Sequence, residues 1–258
     1  MVTKIKLSYI LPTFNEIENL GFIFNQIKYL ETNNDLEFIF IDDNSTDGTF
    51  DYISNQKNKF NNIRIHKRLD EKGLSKSIKA GFLISKGKYV VVMDTDGQHE
   101  IKTTINLFNQ IEREKLDIVI ASRFLQKSQI ENFPIMRLYF SKFGNFLSRM
   151  SLSSRYSFLT DYMSGCFILK KQSCQKYIEE IEPNGFKFLY SLLNQCDGNL
   201  KVCELPLHFK KRRYGKSKLD FYTLFIFFLS LINYLFSNWI KILIFNLSKI
   251  YKQYLYKK

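Results

Sequence analysis

The sequence has few of the residues that mark disulfide-rich secreted proteins or metal–thiolate sites. Its 258 residues include four cysteines and three histidines, and no cysteines form a C-x-x-C pair or stand at metal-ligand spacing with a histidine. We therefore expect reduced thiols, mostly in the core, in a cytoplasmic compartment. These cysteines are Cys166, Cys174, Cys196 and Cys203. We also expect no cleavable signal peptide, because the sequence enters a strand-like segment within its first few residues.

Acidic residues are also scarce relative to basic ones. There are 25 Asp and Glu against 38 Lys and Arg, which gives a net charge of +13. Such a charge predicts an anionic partner, whether nucleic acid, phospholipid head groups or phosphorylated ligands. A basic protein that only binds a membrane surface or nucleic acid is one interpretation. However, the aromatic residues mostly occupy apolar periodic positions, and no RNA-binding signature is present among them.

The most informative stretch is a short apolar segment that runs into acidic residues. Residues 89–93 (YVVVM) are typical of a strand covered on both faces, and Asp94 and Asp96 follow directly. Gly97 allows a sharp turn, so that Asp94, Asp96 and Gln98 can converge on one point. Two carboxylates and an amide oxygen suit a hard divalent cation, Mg²⁺ or Mn²⁺. A single D-x-D is also typical of a solvated acidic turn, so this motif alone does not decide the function.

Strands and helices alternate through the first half of the chain. The patterns predict strands over 7–12, 36–41, 63–66, 89–93 and 117–121, and helices over 16–30 and 73–85. We expect Pro12 to end the first strand, because proline cannot donate to a ladder. This alternation predicts an α/β fold with a parallel, doubly wound sheet. Three of the strands carry acidic or turn-forming residues at the same end, where such sheets bind ligands.

Several motifs in order resemble those of a known enzyme family. P-T-F-N-E at 12–16, D-D-N-S-T-D-G-T at 42–49, G-L-S at 73–75, D-T-D at 94–96 and A-S-R at 121–123 resemble family 2 glycosyltransferases with the GT-A fold. Later motifs narrow the resemblance to the polyprenyl-phosphate sugar transferases of the dolichyl-phosphate mannosyltransferase kind. They are Arg137, Ser141 and Asn145 at four-residue spacing, D-Y-M-S-G-C-F at 161–167, G-F-K at 185–187 and R-R-Y-G-K-S-K at 212–218.

This resemblance implies a fold and a reaction. The fold is a GT-A (Rossmann-like) catalytic domain over residues 1–219, with a mostly parallel sheet flanked by helices. The reaction is transfer of a hexose, with mannose from GDP-mannose favoured, to the phosphate of a membrane polyprenol. Alternatives within the class are UDP-glucose or another UDP-sugar as donor, and a saccharide as acceptor.

The resemblance also implies roles for individual residues. The expected metal ligands are Asp94, Asp96 and Gln98 for Mg²⁺ or Mn²⁺. The expected donor-binding residues are Pro12, Phe14, Glu16, Ile41, Asp43, Asp94, Thr95, Asp96, Arg123, Arg212 and Lys218. The acceptor phosphate is expected at Arg123, Arg137 and Ser141, and the catalytic residues are Asp94, Asp96, Arg123 and Arg137. Two roles stay open: Asp43 is alternatively a helix cap, and Asp161 is an arginine partner, a base or a cap.

The C-terminal segment, residues 220–258, is apolar and basic. Residues 221–240 contain no charged side chain. A helix of this length is long enough to cross a hydrocarbon core of roughly 30 Å. Beyond them, apolar residues recur at helical spacing opposite Lys241, Lys249 and Lys252. Both flanks are basic, which favours helices in the membrane interface or a re-entrant pair over a clean crossing. The segment thus predicts a membrane-associated enzyme at the cytoplasmic face of the cell (inner) membrane.

Overall fold

A seven-stranded sheet forms the centre of the protein. The computed structural model describes residues 5–30, 35–69, 72–131, 134–182 and 187–215. The strands are β1 (Leu7–Thr13), β2 (Leu36–Asp42), β3 (Ile63–Lys67), β4 (Tyr89–Met93), β5 (Ile118–Ser122), β6 (Gln129–Ile130), β7 (Cys166–Lys170), β8 (Val202–Pro206) and β9 (His208–Phe209). The helices are α1 (Ile17–Leu30), α2 (Thr49–Gln56), α3 (Leu74–Ile84), α4 (Ile101–Arg113), α5 (Ile135–Ser151), α6 (Lys171–Glu180) and α7 (Phe188–Cys196).

The order of the strands is β3-β2-β1-β4-β7-β5-β8, and β6 pairs with β9 in a separate two-stranded ladder. Side chains alternate between the two faces of each strand. One face, with Ile10, Ile39 and Val90, packs in a cluster with buried residues of α3, α6 and α7. The other face, with Leu11 and Phe40, packs in a second cluster with α1 and α4. The strands therefore lie between two helical layers, as apolar runs covered on both sides require.

The predicted α/β alternation is confirmed, with two corrections. The sheet is mostly parallel, but β7 runs antiparallel between β4 and β5. The first strand does not end at Pro12; it continues to Thr13. Pairing of β1 with β4 stops at Ile10, whereas pairing with β2 continues to Thr13. The Pro12 carbonyl faces β4 and accepts a hydrogen bond from the Thr95 hydroxyl (2.8 Å). The N–H that proline lacks would face the same side, where strand pairing has already ended, so Pro12 removes no ladder hydrogen bond.

Other expectations are confirmed or lie outside the described residues. The four cysteines are free, and three are buried. No helix within the described ranges is long and apolar enough to span a bilayer. The boundary near residue 219, the C-terminal segment 220–258, Lys218 and the first two residues of the G-F-K motif all fall outside those ranges.

Candidate active site

The candidate site lies at the edge of the sheet where β1, β2, β4 and β5 have their carboxyl ends, with β7 between β4 and β5. Hydrogen bonds join the segments that follow these strands. The Asp43 N–H donates to the Thr13 carbonyl (2.9 Å) and the Thr13 hydroxyl to the Ile41 carbonyl (3.3 Å). Together with the bond from Thr95 to Pro12, these contacts bring the predicted donor-binding segments together.

Asp94 sits at the end of β4, in a recess that depends on a glycine. A Cβ added to Gly165 would lie 2.1 Å from Asp94 Oδ2, so only glycine leaves room for this carboxylate. Burial and the charge of Asp96 raise the pKa of Asp94 to about 7. Next to it, His99 Nε2 lies 3.9 Å from Asp94 Oδ2. Burial lowers the pKa of His99 to about 4, so this imidazole is neutral at pH 7.

Asp96 faces the chain segment that follows β9. Its carboxylate accepts a hydrogen bond from Arg212 (2.6 Å) and from the Gln98 N–H (3.1 Å). Gly97 has φ +78°, which forms the sharp turn expected from the sequence. The Gln98 amide nitrogen donates to the Lys210 carbonyl (3.1 Å), and the Lys210 N–H donates back to the Gln98 carbonyl. The segment after β9 is thereby fixed across the D-T-D-G-Q turn.

These residues fit a divalent cation. The two carboxylates are hard oxygen ligands, and Mg²⁺ is commonly bound through one or two carboxylates together with substrate phosphates. A raised pKa caused by burial and a like charge marks a carboxylate that a nearby cation would stabilise in its ionised form. Within the described residues, no group of three or more His, Cys, Asp or Glu side chains forms a metal site by itself.

Three arginines approach the same two carboxylates. Arg123, after β5, binds Asp161 through two parallel hydrogen bonds, Nε to Oδ2 (2.7 Å) and Nη2 to Oδ1 (2.8 Å). Asp161 is fully buried. The predicted role of arginine partner is thus observed, and a role as base stays a prediction. Burial, and then the positive charges of Arg212 and Arg123, lower the pKa of Arg137. Arg137 is thus repelled by the other two guanidinium groups, and this concentration of positive charge is a natural site for phosphate oxygens.

Helix α5 carries the other acceptor-side residues. Arg137 and Ser141 are partly buried and one turn apart on this helix. One turn further, the Asn145 amide donates to the Ser141 carbonyl (3.0 Å) and accepts from the Tyr162 N–H (2.8 Å). Asn145 therefore ties α5 to the loop that holds Asp161.

Asp43 has more partners than the sequence indicated. Its carboxylate accepts hydrogen bonds from Arg68, the Ser77 hydroxyl (2.7 Å) and the Gly73 N–H (2.8 Å). It does not cap α2, where the N–H of Thr49, the first residue of the helix, donates to Asp47 instead. The cap interpretation of Asp43 is therefore wrong, and its contact with the ribose or base stays a prediction.

The other donor-side residues lie at the start of α1. Phe14 is partly buried, and the Lys72 ammonium lies 4.2 Å from the centre of its ring. Glu16 is buried and accepts a hydrogen bond from the Asn19 amide (2.6 Å). Both residues thus lie at the edge of the sheet where a nucleoside was expected.

Sequence reasoning missed four residues of this site. Gly165 stands inside the motif at 161–167 and His99 directly follows the D-T-D-G-Q turn, so both lie at or beside a motif. Arg68, which follows β3, and Glu204, on β8, stand outside them, and only the fold brings these two to the site.

Comparisons with known proteins agree with this geometry. The family described as Glycosyl transferase family 2 matches residues 8–178. Over 220 residues, 85% of the chain, the protein is 34% identical to a dolichol-phosphate mannosyltransferase of Pyrococcus furiosus, of which it spans 61%. It is 30% identical to the Saccharomyces cerevisiae protein of that name over 84% of the chain and 82% of the relative.

Solved structures share the fold at lower identity. Glucosyl-3-phosphoglycerate synthase from Mycobacterium tuberculosis, in complex with Mn²⁺ and UDP, superposes with a TM-score of 0.67 at 16% identity, covering 90% of this chain and 79% of that one. S. aureus TarS in complex with UDP-GlcNAc gives 0.56 at 17% identity, covering 85% and 64%. The fold is thus GT-A-like, and the resemblance drawn from the motifs is confirmed: the chain belongs to glycosyl transferase family 2 and, within it, to the group of the dolichol-phosphate mannosyltransferases.

Proposed function

We propose that the protein transfers mannose from GDP-mannose to the phosphate of a membrane polyprenol. The observation that carries this proposal is the convergence of Arg123, Arg137 and Arg212 on the carboxylates of Asp94 and Asp96. Such a site suits two anionic groups at once, a diphosphate and a phosphate monoester. The names of the relatives support this choice of reaction.

The acceptor explains why arginines dominate the site. A phosphate monoester is already largely ionised at pH 7, so it needs no strong general base to attack. It needs positive charge to bind and orient it. Arg123 and Arg137 take this role, with Ser141 one turn from Arg137 on α5. In the reaction, an acceptor phosphate oxygen forms a bond to the anomeric carbon, the bond from that carbon to the diphosphate breaks, and GDP leaves with the electron pair.

The donor side must stabilise the charge that develops on GDP. Asp94 and Asp96 would hold Mg²⁺ or Mn²⁺, and such a cation would supply Lewis-acid stabilisation of the diphosphate charge. Arg212, which pairs with Asp96, is placed to contact the diphosphate. Asp43 and Phe14 lie where the nucleoside would bind. The structural neighbour in complex with Mn²⁺ and UDP supports a divalent cation with a nucleotide.

A membrane location follows from the acceptor, a lipid. Helix α5, which carries Arg137, buries small and polar residues and exposes apolar ones. The buried residues are Gly144, Asn145, Ser148 and Ser151. The exposed apolar residues are Ile135, Met136, Tyr139, Phe143, Phe146 and Met150. With the uncharged run 221–240, this face supports placement at the cytoplasmic face of the membrane.

A donor and acceptor panel tests the reaction. Purified protein is given GDP-mannose, UDP-glucose or UDP-N-acetylglucosamine with undecaprenyl phosphate, dolichyl phosphate or an oligosaccharide, and the product mass is measured. We expect mannosyl-phosphoryl-polyprenol from GDP-mannose. A product from a UDP-sugar alone would refute the donor, and label only in the saccharide would refute the acceptor.

Substitution of the acidic residues tests the site. We expect Asp94→Asn and Asp96→Asn to lower kcat by at least about a hundredfold, because each removes a negative charge that would hold the cation. Asp51→Asn is the matched control, since Asp51 is exposed on α2. A chelator should abolish wild-type turnover, and Mg²⁺ or Mn²⁺ should restore it. Normal turnover of both site variants would contradict this use of the carboxylates.

A further inference from the structure

Glu204 is an acidic residue of β8 that the proposed mechanism does not use. Its position is set by pairing of β8 with β5, in which Glu204 stands opposite Ile120. Its side chain is partly buried, and its two carboxylate oxygens accept three hydrogen bonds from consecutive residues. Oε1 accepts from the Asp161 N–H (2.8 Å), and Oε2 accepts from the Thr160 N–H (2.8 Å) and the Thr160 hydroxyl (2.9 Å).

The loop that Glu204 holds is the one that orients Arg123. Asp161 accepts from the Arg123 side chain through both carboxylate oxygens and from the Arg123 N–H (3.1 Å). A second connection reaches the residue before Arg123, because the Thr160 hydroxyl is 2.6 Å from the hydroxyl of Ser122. Glu204 thus connects through Asp161 to the side chain and N–H of Arg123, and through Thr160 to Ser122, the residue before it.

This arrangement needs a carboxylate at position 204. Each oxygen of Glu204 faces backbone N–H donors, so both must act as acceptors. A glutamine offers one acceptor oxygen and one NH₂ group, which would point a donor at a donor. Burial raises the pKa of Glu204, and the hydrogen bonds from Asp161 and Thr160 oppose that shift.

We infer that Glu204 is a positioning residue for the acceptor phosphate, acting through Asp161 and Thr160 on Arg123. It does not touch either substrate. It fixes the loop so that the guanidinium of Arg123 faces the site in one orientation. This inference rests on the proposed function, in which Arg123 binds the polyprenyl phosphate.

The experiment compares Glu204→Gln with Glu37→Gln. Glu37 is a suitable control because it too accepts a backbone N–H, from Lys86, and a hydroxyl, from Ser8. It lies near the start of β2, at the opposite end of the sheet. Both variants lose carboxylate hydrogen bonds, so both should unfold at lower temperature. Kinetic constants are measured with GDP-mannose and polyprenyl phosphate, each varied in turn.

We expect Glu204→Gln to raise the KM for polyprenyl phosphate about tenfold, because a small displacement of a binding group has large kinetic effects. The KM for GDP-mannose should stay unchanged, and Glu37→Gln should change neither. An unchanged acceptor KM, or an equal rise in both KM values, would overturn the inference. If Glu204→Gln does not fold, Glu204→Asp, which keeps the charge on a shorter side chain, should give the same selective rise.

A crystal structure of the variant separates this inference from the proposed function. We expect at least one of the two side-chain hydrogen bonds between Arg123 and Asp161 to be lost; an unchanged pair would overturn the positioning role. Absence of wild-type transfer to any polyprenyl phosphate would instead refute the proposed function, and with it the acceptor role of Arg123. The crystal structure would then still decide whether Glu204 positions Arg123.

Discussion

The carboxylate of Asp94 has room in the site because Gly165, the residue before β7, has no Cβ atom. β7 lies beside β4, and Gly165 immediately precedes β7, facing Asp94. Any side chain at position 165 would occupy the volume of the Asp94 carboxylate. Burial of the carboxylate in this recess, together with the charge of Asp96, raises the pKa of Asp94. An antiparallel strand, unexpected from the sequence, thus shapes the centre of the site.

Substitution of this glycine should separate fold from function. We expect Gly165→Ala to lower turnover at least tenfold, roughly the effect of moving a catalytic group by a fraction of an ångström. Gly21→Ala is the matched control, because nothing lies within 4 Å of a Cβ there. Gly21 is in the middle of α1, so alanine should stabilise the protein by about 0.5–1 kcal/mol. Turnover and thermal unfolding of both variants test this, and equal turnover would contradict the role of Gly165.

Residues of the site differ in how far the sequence predicted them. Asp94, Asp96 and Gly97 follow one another, so local pattern alone predicted their convergence at a turn. The pairing of Arg123 with Asp161 joins residues 38 positions apart, and only a family motif suggested it. Glu204 and Arg68 carry no local signal, because a single charged residue in a strand or directly after one has many possible partners until the fold is known.

At the scale of elements, the five predicted strands and two predicted helices lie close to observed elements, but β7, β8 and helices α4, α6 and α7 were not predicted, and neither was the strand pairing. The strand predicted over 89–93 is β4 as observed. Local periodicity reports which residues are apolar and how they alternate, but it carries no information on strand direction. The antiparallel placement of β7 between β4 and β5 depends on long-range packing, which a pattern of side chains does not encode.

One buried carboxylate links three strands at the amino edge of the sheet. Glu37 on β2 accepts from the Ser8 hydroxyl on β1 (2.6 Å) and from Arg64 on β3 (2.8 Å). It also accepts from the Lys86 N–H. Burial alone would raise the pKa of Glu37, but these hydrogen bonds and the charge of Arg64 hold it below the ordinary value of 4.5.

This carboxylate predicts a pH dependence of stability. Because the pKa of Glu37 is lowered by folding, its contribution is fully present above pH 4.5 and is lost as the pH falls through the lowered value. At pH 7 we expect Glu37→Gln to reduce the free energy of unfolding by about 1.5–3 kcal/mol. The difference from wild type should shrink in acid. Urea unfolding at several pH values measures it, and a constant difference down to pH 3 would contradict the assignment.

At the scale of the whole molecule, charge and exposed apolar area meet on one side. Six of the eleven large hydrophobic residues exposed within the described ranges belong to α5. The helix has no acidic residue and carries Lys142 and Arg149 as well as Arg137. Apolar side chains beside basic ones suit the interface of an anionic membrane. The same helix carries Arg137 and Ser141, so a membrane against this face would place the acceptor phosphate beside its proposed ligands.

We therefore expect the apolar face of α5 to contribute to membrane binding, in addition to the contribution predicted for residues 220–258. Tyr139 and Phe146 lie two turns apart and are 67% and 57% exposed. Burial of each ring in lipid would contribute about 1.5–3 kcal/mol. We expect Tyr139→Glu/Phe146→Glu in the full chain to weaken binding to vesicles containing anionic phospholipid at least tenfold. The matched control is Tyr29→Glu/Leu83→Glu, which changes two exposed apolar residues on α1 and α3. Cosedimentation measures the bound fraction, and equal binding of the two double variants would show that α5 does not contact the membrane.

The double variant on α5 should also have a raised KM for polyprenyl phosphate supplied in vesicles, because the lipid would no longer be held against the helix that binds its phosphate.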